Sequence, residues 1–222
     1  DSLDHSLAQT RNNVYMAVKS WATYRGLALM FRDLGDKATQ ERCQKLAEKV
    51  AGVVAEQAVD GVLPAIFEKS NPGYHSRILP AVEGCMYPLY FVKTGYLKQK
   101  LEQVFGTPSE KKMYDVLKEH TRKLLLDPQR RNVFADGGIK LSSTSNNSWM
   151  SKISIFMHVA RRVFQLDQDP GVVEVFRKAD AAHVNWQVVG SAYWACSDQI
   201  VSGEGKASRY YPRIIASALW ME

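Results

Sequence analysis

The stretch TPSEKKMYDVLKEHTRKLLL (residues 107–126) contains a complete helix start. Thr107 is placed to accept a hydrogen bond at the N-cap, and Glu110, three residues later, closes a capping box. Pro108 occupies the first turn, where its missing N–H would have had no partner in any case. The sequence therefore predicts a helix that begins at Pro108 and runs to about Leu126.

Apolar residues recur at helical spacing on both sides of this stretch. Two helices are predicted in the N-terminal region, separated by the LGD sequence (residues 34–36), where Asp36 caps the second helix. Further helices are predicted near Pro80, after the DPG sequence (residues 169–171) and after Pro212. The apolar stripes are Val14, Val18, Trp21, Ala28 and Phe31; Cys43, Leu46, Val50 and Val53; Ile153, Phe156, Val159, Ala160 and Val163; and Val175, Ala179 and Ala182.

These patterns predict an all-α domain of about seven helices joined by loops of unequal length. The chain of 222 residues is long enough for one sizeable core. It contains no repeat of fixed period, which argues against a solenoid. Helices of this length suit a helical barrel or a bundle, and their spacing does not distinguish the two.

Composition excludes several classes of function. The formal net charge is +6, from 29 Lys and Arg against 23 Asp and Glu, but the basic residues are spread along the chain, which argues against nucleic-acid binding. No apolar run approaches the roughly 18 residues of a membrane span, and the first residues do not resemble a signal peptide. The cysteines and histidines show no disulfide or metal-binding spacing, so a cytoplasmic location and no cofactor are expected.

Seven uncharged polar residues, SSTSNNS (residues 142–148), precede Trp149 and an apolar run. One interpretation is a solvated loop in which Asn147 or Ser148 caps the helix that begins near Trp149. The other is a sugar site, because hydroxyl and amide groups match the donors and acceptors of a neutral polyol. Trp149 would then offer an apolar face to the sugar ring. Composition alone leaves both interpretations open.

Four carboxylates are candidates for chemistry. Asp1 and Asp4 precede the first helix, where they are either helix caps or general acid/base groups at the mouth of a pocket. Glu83 lies between apolar residues in AVEG, a setting in which a carboxylate is either partnered or functional. Asp198 follows aromatic residues in GSAYWACSDQI (residues 190–200), a composition that also suits a sugar subsite.

Six segments together resemble the C-terminal part of glycoside hydrolase family 52, the β-xylosidases. They occur in the order found in the family and cover nearly the whole chain. The most specific is DGGIKLSSTSNNSWMSKI (residues 136–153), because a long unusual string seldom recurs by chance. The segments are DSLDHSLAQTRNNVYMAVKSWATY, RILPAVEGCMYPLY, FADGGIKLSSTSNNSWMSKI, KADAAHVNWQ, SDQIVSGE and YYPRIIASALWME.

The resemblance implies that residues 1–222 are the C-terminal part of an (α/α)6-barrel catalytic domain, without the N-terminal β-sandwich of the family. It also implies a retaining, exo-acting β-1,4-xylosidase that hydrolyses xylo-oligosaccharides to xylose. The general acid/base of the family carries over to Asp1, with Asp4 as the fallback. The glutamate nucleophile lies upstream of this segment. Substrate contacts are expected at Asn147, Trp149, Glu83 and Asp198.

The resemblance further implies that the chain is one piece of a longer enzyme and is inactive alone, because retention needs a second carboxylate. The expected partners are a xylo-oligosaccharide and the upstream part of the enzyme, with a homodimer left open and no nucleic acid or membrane. Two other interpretations compete. One is a different helical-barrel carbohydrate enzyme, a β-glucosidase or a polysaccharide lyase, and the other is a non-catalytic helical scaffold.

Overall fold

The structure is helical, as the spacing of apolar residues predicts. A computed structural model describes residues 11–95, 101–188 and 197–206. The all-α class is confirmed, and the described helices are consistent with a partial helical barrel. The helix predicted after Pro212 lies outside the described residues. The helices are α1 (Val14–Asp33), α2 (Lys37–Glu56), α3 (Met86–Lys93), α4 (Leu101–Val104), α5 (Pro108–Leu125), α6 (Met150–Arg162) and α7 (Pro170–Val188), with 3₁₀ helices at Pro72–His75, Leu79–Cys85 and Leu166–Gln168.

Helices α1 and α2 form a hairpin at the predicted LGD turn. Gly35 adopts a positive φ of 76°, which ends α1, and Asp36 caps α2 by accepting a hydrogen bond from Thr39 N (3.0 Å). Asn13 caps α1 in the same way, with Met16 N as the donor (2.8 Å). Within the described ranges, no helix is both long and apolar enough to cross a membrane.

The buried face of α2 differs from the predicted one. Of the predicted stripe only Cys43 is buried, and Val53 is 41% exposed. Helix α2 contacts α1 and α5, and its buried residues include three alanines, while Leu46 and Val50 are only partly buried. The buried residues of α2 are Cys43, Ala47, Ala51, Val54 and Ala55.

The 3₁₀ helix Leu79–Cys85 runs through the middle of the fold. All seven of its residues are buried, and it contacts α1, α3, α5 and α6. Gly84 allows this packing, since a Cβ at this position would lie 2.6 Å from the carbonyl oxygen of Val18 on α1. The same close contact fixes the neighbouring Glu83 in the interior. We refer to this segment as the central 3₁₀ helix.

Helix α5 begins with the predicted capping box. Thr107 Oγ1 accepts from Glu110 N (3.2 Å), and Thr107 N donates to Glu110 Oε2 (3.1 Å). The Glu110 carboxylate is buried, and its Oε1 also accepts from the indole Nε1 of Trp21 on α1 (3.0 Å). Arg25 Nε lies 3.6 Å from the same oxygen. A residue that starts one helix therefore also ties that helix to another.

A small antiparallel sheet, which the sequence did not predict, begins at the end of the polar stretch. Its strands are β1 (Asn147–Trp149), β2 (Gln199–Val201) and β3 (Glu204–Lys206), in that order, and Ser148 pairs with Ile200. Each strand has three residues, which is too short for the alternation of apolar and polar side chains to be recognised.

The DGG sequence at residues 136–138 packs against α7. Asp136 Oδ1 accepts from Gly138 N (3.0 Å), and Asp136 Oδ2 accepts from the indole Nε1 of Trp186 (2.7 Å). Gly137 has a φ of +100°, a conformation that favours glycine. A Cβ on Gly138 would lie 2.1 Å from the Trp186 ring, so the turn and the tryptophan fit only with glycine here.

We therefore expect Gly138→Ala to lower the free energy of unfolding by about 1–3 kcal/mol, the usual cost of overpacking a core. Gly52→Ala in α2 is the matched control, because the nearest neighbour of its added Cβ is Ser109 Oγ at 3.8 Å. That change should stabilise the protein by about 0.5–1 kcal/mol. Urea denaturation measures both, and equal stabilities of the two variants would contradict the packing argument.

Two buried histidines accept backbone N–H groups from loops. His120 Nδ1 on α5 accepts from Leu63 N (3.0 Å), while its Nε2 donates to Ile78 O (3.1 Å). His183 Nε2 on α7 accepts from Ile139 N (3.1 Å). Burial lowers the pKa of each imidazole to about 4, so both stay neutral at pH 7.

Acid should therefore weaken the fold over a defined pH range. An unfolded histidine has a pKa near 6.5, so between about pH 6.5 and pH 4 the unfolded chain binds more protons than the folded one. The stabilisation is complete above pH 6.5 and is lost as the pH falls toward 4, at up to about 1.4 kcal/mol per pH unit for each histidine. Urea denaturation at several pH values should show a shallower dependence in His120→Gln and His183→Gln, and an unchanged dependence in both would contradict this assignment.

Candidate functional site

Four polar side chains meet where the N-terminal ends of α1 and α6 approach the central 3₁₀ helix. Glu83 Oε1 lies 2.8 Å from Lys19 Nζ, and Glu83 Oε2 lies 3.0 Å from Lys152 Nζ. Tyr15 Oη accepts from both ammonium groups, at 2.7 Å from Lys19 and 2.6 Å from Lys152. We call these four residues the lysine–glutamate cluster.

Three elements position the cluster. Tyr15 and Lys19 are four residues apart on α1, so their side chains lie on one face of the helix. Lys152 lies in the first turn of α6, and Glu83 is held by the buried central 3₁₀ helix. Both ammonium groups also lie over the Tyr15 ring, at 4.4 and 4.7 Å from its centroid, which adds cation–π attraction.

The electrostatics of the cluster keep Glu83 ionised. Burial alone raises the pKa of the Glu83 carboxyl, but Lys152 and Lys19 outweigh that effect and leave the pKa below its usual value. For Lys19 burial opposes the charge, and the carboxylate with its hydrogen bond raises the pKa above its ordinary value. Glu83 is therefore a poor proton donor at neutral pH and a good acceptor of hydrogen bonds.

The arrangement suits recognition of hydroxyl groups. Each ammonium group carries three N–H donors, two of which are used by Glu83 and Tyr15. The carboxylate oxygens can accept from hydroxyl groups, and the free N–H groups can donate to them. The lysine side chains are 24% and 20% exposed, so the cluster reaches solvent from a largely buried position.

The polar stretch at residues 142–148 uses its hydroxyl groups within the protein. All five form hydrogen bonds to neighbouring loop residues or to one another, which supports the structural interpretation for these side chains. The contacts are Ser142 with Ser76 (3.3 Å), Ser143 with Arg77 N (2.9 Å), Thr144 with Ser76 (2.9 Å), Ser145 with Asn147 N (3.2 Å) and Ser148 with Leu141 N (3.1 Å).

The prediction that Asn147 or Ser148 caps α6 was wrong. Both residues belong to β1, and Trp149 occupies the N-cap position without a side-chain hydrogen bond to the helix. Pairing with β2 instead brings Asp198 over the helix start. Asp198 Oδ1 accepts from Ser151 N (3.0 Å), and its carbonyl accepts from Met150 N (2.7 Å). Asp198 is 1% exposed and so serves as a cap from a distant part of the chain.

The other predicted substrate contacts lie beside this helix start. Asn147 Oδ1 accepts from Gln199 Nε2 (3.1 Å) on the neighbouring strand. Trp149 is half-buried and packs against the core, and it lies at the same end of α6 as Lys152. The structure thus places Asn147, Trp149 and Asp198 around one end of α6, and their contact with a sugar stays a prediction.

Asp1 and Asp4, the predicted general acid/base and its fallback, lie outside the described residues. The sequence drew attention to Glu83 but not to Tyr15, Lys19 or Lys152. Only the Tyr15–Lys19 spacing was a usable signal, since a lysine paired with a carboxylate 69 positions away leaves no local pattern. Over the described parts of the chain, no group of three or more metal-ligating side chains comes together.

Over its whole length the chain is similar to an enzyme of the glycosidase class. That enzyme is a β-xylosidase from Geobacillus stearothermophilus, which is 39% identical over 226 aligned residues, or 100% of this chain and 30% of the relative. The resemblance to β-xylosidases is thereby confirmed, and the chain spans under a third of the relative's length. No family model matches the chain.

The cluster predicts strong coupling between Glu83 and Lys152. Lys152→Met leaves the buried carboxylate with one ammonium group, and Glu83→Gln leaves two ammonium groups without a counter-charge, so each should destabilise the protein. The double variant removes both imbalances. We expect its loss of unfolding free energy to be smaller than the sum of the single losses by about 0.5–3 kcal/mol. Additive losses in urea denaturation would show that the two groups do not interact.

Proposed function

We propose that this chain is part of a retaining, exo-acting β-1,4-xylosidase of glycoside hydrolase family 52, which hydrolyses xylo-oligosaccharides to xylose. The observation that carries the proposal is the 39% identity to a β-xylosidase along the entire chain. The assignment to family 52 is supported by the long string at residues 136–153. The helical structure agrees with the barrel domain that this family implies.

The proposed mechanism uses two carboxylates about 5–5.5 Å apart. Asp1 donates a proton to the leaving sugar and then removes a proton from the attacking water, with Asp4 as the fallback for this role. A glutamate in the remaining part of the enzyme attacks the anomeric carbon and forms the covalent intermediate. This route needs no metal or cofactor, and it leaves the 222-residue chain inactive without its partner segment.

The lysine–glutamate cluster has a binding role in this proposal. A general acid needs a raised pKa, whereas Lys19 and Lys152 hold the Glu83 pKa down, so Glu83 is unsuited to donating the catalytic proton. An ionised carboxylate between two ammonium groups instead pairs with adjacent sugar hydroxyls, each of which both donates and accepts. We assign Glu83 to orienting the non-reducing xylose through its hydroxyl groups.

The end of α6 supplies the remaining proposed contacts. Trp149 offers an aromatic face to the apolar side of the sugar ring, and Asn147 offers an amide. Asp198 acts indirectly, because its carboxylate holds Ser151 N and thereby fixes the helix start next to Trp149. We also place the enzyme in the cytoplasm, an assignment supported by the free thiols of Cys43 and Cys85.

The test is azide rescue in the complete enzyme. Asp1→Ala should lower kcat for xylobiose by about 10²–10⁴-fold, the usual contribution of a general acid/base. Azide should restore part of the activity toward a nitrophenyl β-xyloside, because this small anion attacks the covalent intermediate without needing a general base. Chromatography and NMR identify the product, which should be β-xylosyl azide if the configuration is retained.

Asp4→Ala is the matched control for this test, with an expected loss of activity that azide does not reverse. Rescue of Asp4→Ala and not of Asp1→Ala would overturn the assignment to Asp1. Absence of a xylosyl azide from both variants would overturn both acid/base assignments, and an α-xylosyl azide would contradict retention. Circular dichroism of each variant separates these outcomes from a failure to fold.

A further inference from the structure

A second, basic pocket lies at the C-terminal end of α5 and shares no residue with the lysine–glutamate cluster. Its volume is about 390 Å³. Leu124 and Leu126 contribute to an apolar wall, and Asp127 is the one carboxylate among the described residues that line it. The cations that line it are Arg77, Arg122, Lys123 and Arg131.

Arg77 differs from the other three cations in its partners. Within the described part of the chain, no carboxylate lies within ion-pairing distance of its guanidinium group. Its Nη1 donates to two carbonyl oxygens, those of Tyr74 (2.6 Å) and Ser76 (3.0 Å). The other three each have a carboxylate neighbour, namely Asp127 for Arg131 (2.7 Å), Asp169 for Arg122 (2.6 Å) and Glu119 for Lys123 (3.7 Å).

The position of Arg77 is fixed by its own backbone. Arg77 N donates to Ser143 Oγ (2.9 Å), and Ser143 N donates to Arg77 O (2.9 Å), which joins this residue to the polar stretch. Burial lowers the pKa of Arg77, and the nearby positive charge of Arg131 lowers it further. A half-buried guanidinium held next to a like charge is destabilised, and an anion between the two groups would relieve both effects.

We propose that this pocket binds a carboxylate-bearing sugar, with the carboxylate placed between the guanidinium groups of Arg77 and Arg131. Guanidinium groups match the planar geometry of a carboxylate and bind it through paired hydrogen bonds. The sugar ring packs against Leu124 and Leu126. In a xylosidase such a ligand corresponds to an acidic side group on a xylo-oligosaccharide.

The shape of the pocket favours a sugar acid over a bare inorganic anion. A volume of about 390 Å³ falls within the range of small-molecule sites and exceeds what a single phosphate needs. An apolar wall next to cations suits a ring with one charged edge. The choice of a sugar as the ligand rests on the proposed function, whereas binding of an anion rests on the pocket alone.

The test is isothermal titration calorimetry of the complete protein with glucuronate, xylose and inorganic phosphate at low salt. Glucuronate should bind and xylose should not bind at this pocket. Arg77→Gln should weaken glucuronate binding by about tenfold or more, as expected for loss of a charge-assisted bidentate contact. Arg131→Gln, at a more exposed position, should weaken it in the same direction. Arg42→Gln on the exposed surface of α2 removes the same charge outside the pocket and should leave the affinity unchanged.

Measuring xyloside hydrolysis alongside glucuronate binding distinguishes a failure of this pocket proposal from a failure of the proposed function. Hydrolysis of an uncharged nitrophenyl β-xyloside should be the same in Arg77→Gln and wild type, because the pocket takes no part in bond cleavage. Glucuronate binding that Arg77→Gln and Arg131→Gln do not weaken would overturn the proposal. Phosphate binding as tight as glucuronate binding would overturn the assignment to a sugar acid, and no binding of either anion would exclude an anion site altogether.

Discussion

Placing Glu83 in the middle of the protein removes a carboxylate from water, which costs several kcal/mol unless opposite charges and hydrogen bonds compensate. The central 3₁₀ helix that carries it is buried at every position and contacts four helices, so the carboxylate is largely shielded from solvent. Lys19 and Lys152 supply the compensation from α1 and α6. The placement of these two helices is therefore constrained by one charge, because a shift of either helix would leave an unpaired carboxylate in the core.

A second glutamate constrains α1 from another direction. Glu110 accepts a hydrogen bond from Trp21 and lies close to Arg25, while its other oxygen completes the capping box of α5. Lys19 and Trp21 are two positions apart and so point to nearly opposite sides of a helix with 3.6 residues per turn. Helix α1 is thus tied to the central 3₁₀ helix on one side and to the start of α5 on the other, each time by a buried carboxylate whose position is fixed by its own backbone.

Local interactions explain which parts of the structure could be predicted from the sequence. The start of α5 depends on residues within one turn, and its capping box was predicted correctly. The buried face of α2 was not predicted correctly. Helical spacing fits Leu46 and Val50 as well as Ala47 and Ala51, and the choice depends on how closely the neighbouring helices pack.

At the candidate site Glu83 was recognisable as a charge in an apolar segment. Its lysine partners were not, since they come from distant parts of the chain. The prediction of the α6 cap was wrong for the same reason. Asp198 reaches the start of α6 only through a small sheet, and the short strands of that sheet leave no alternating pattern in the sequence.

The environment of each carboxylate bears on the role it can take in the proposed mechanism. Glu83, Glu110 and Asp198 are all buried, and each accepts hydrogen bonds from ammonium, indole or backbone N–H groups. A general acid needs the opposite surroundings, with its protonated form favoured at neutral pH. Glu83 lacks such surroundings, because Lys19 and Lys152 lower its pKa, and all three carboxylates tie helices to their neighbours. The proposed mechanism therefore leaves the proton transfer to a carboxylate other than Glu83, and we assign that role to Asp1. Under the same proposal the lysine–glutamate cluster orients the sugar, a task that suits an ionised carboxylate with two ammonium partners.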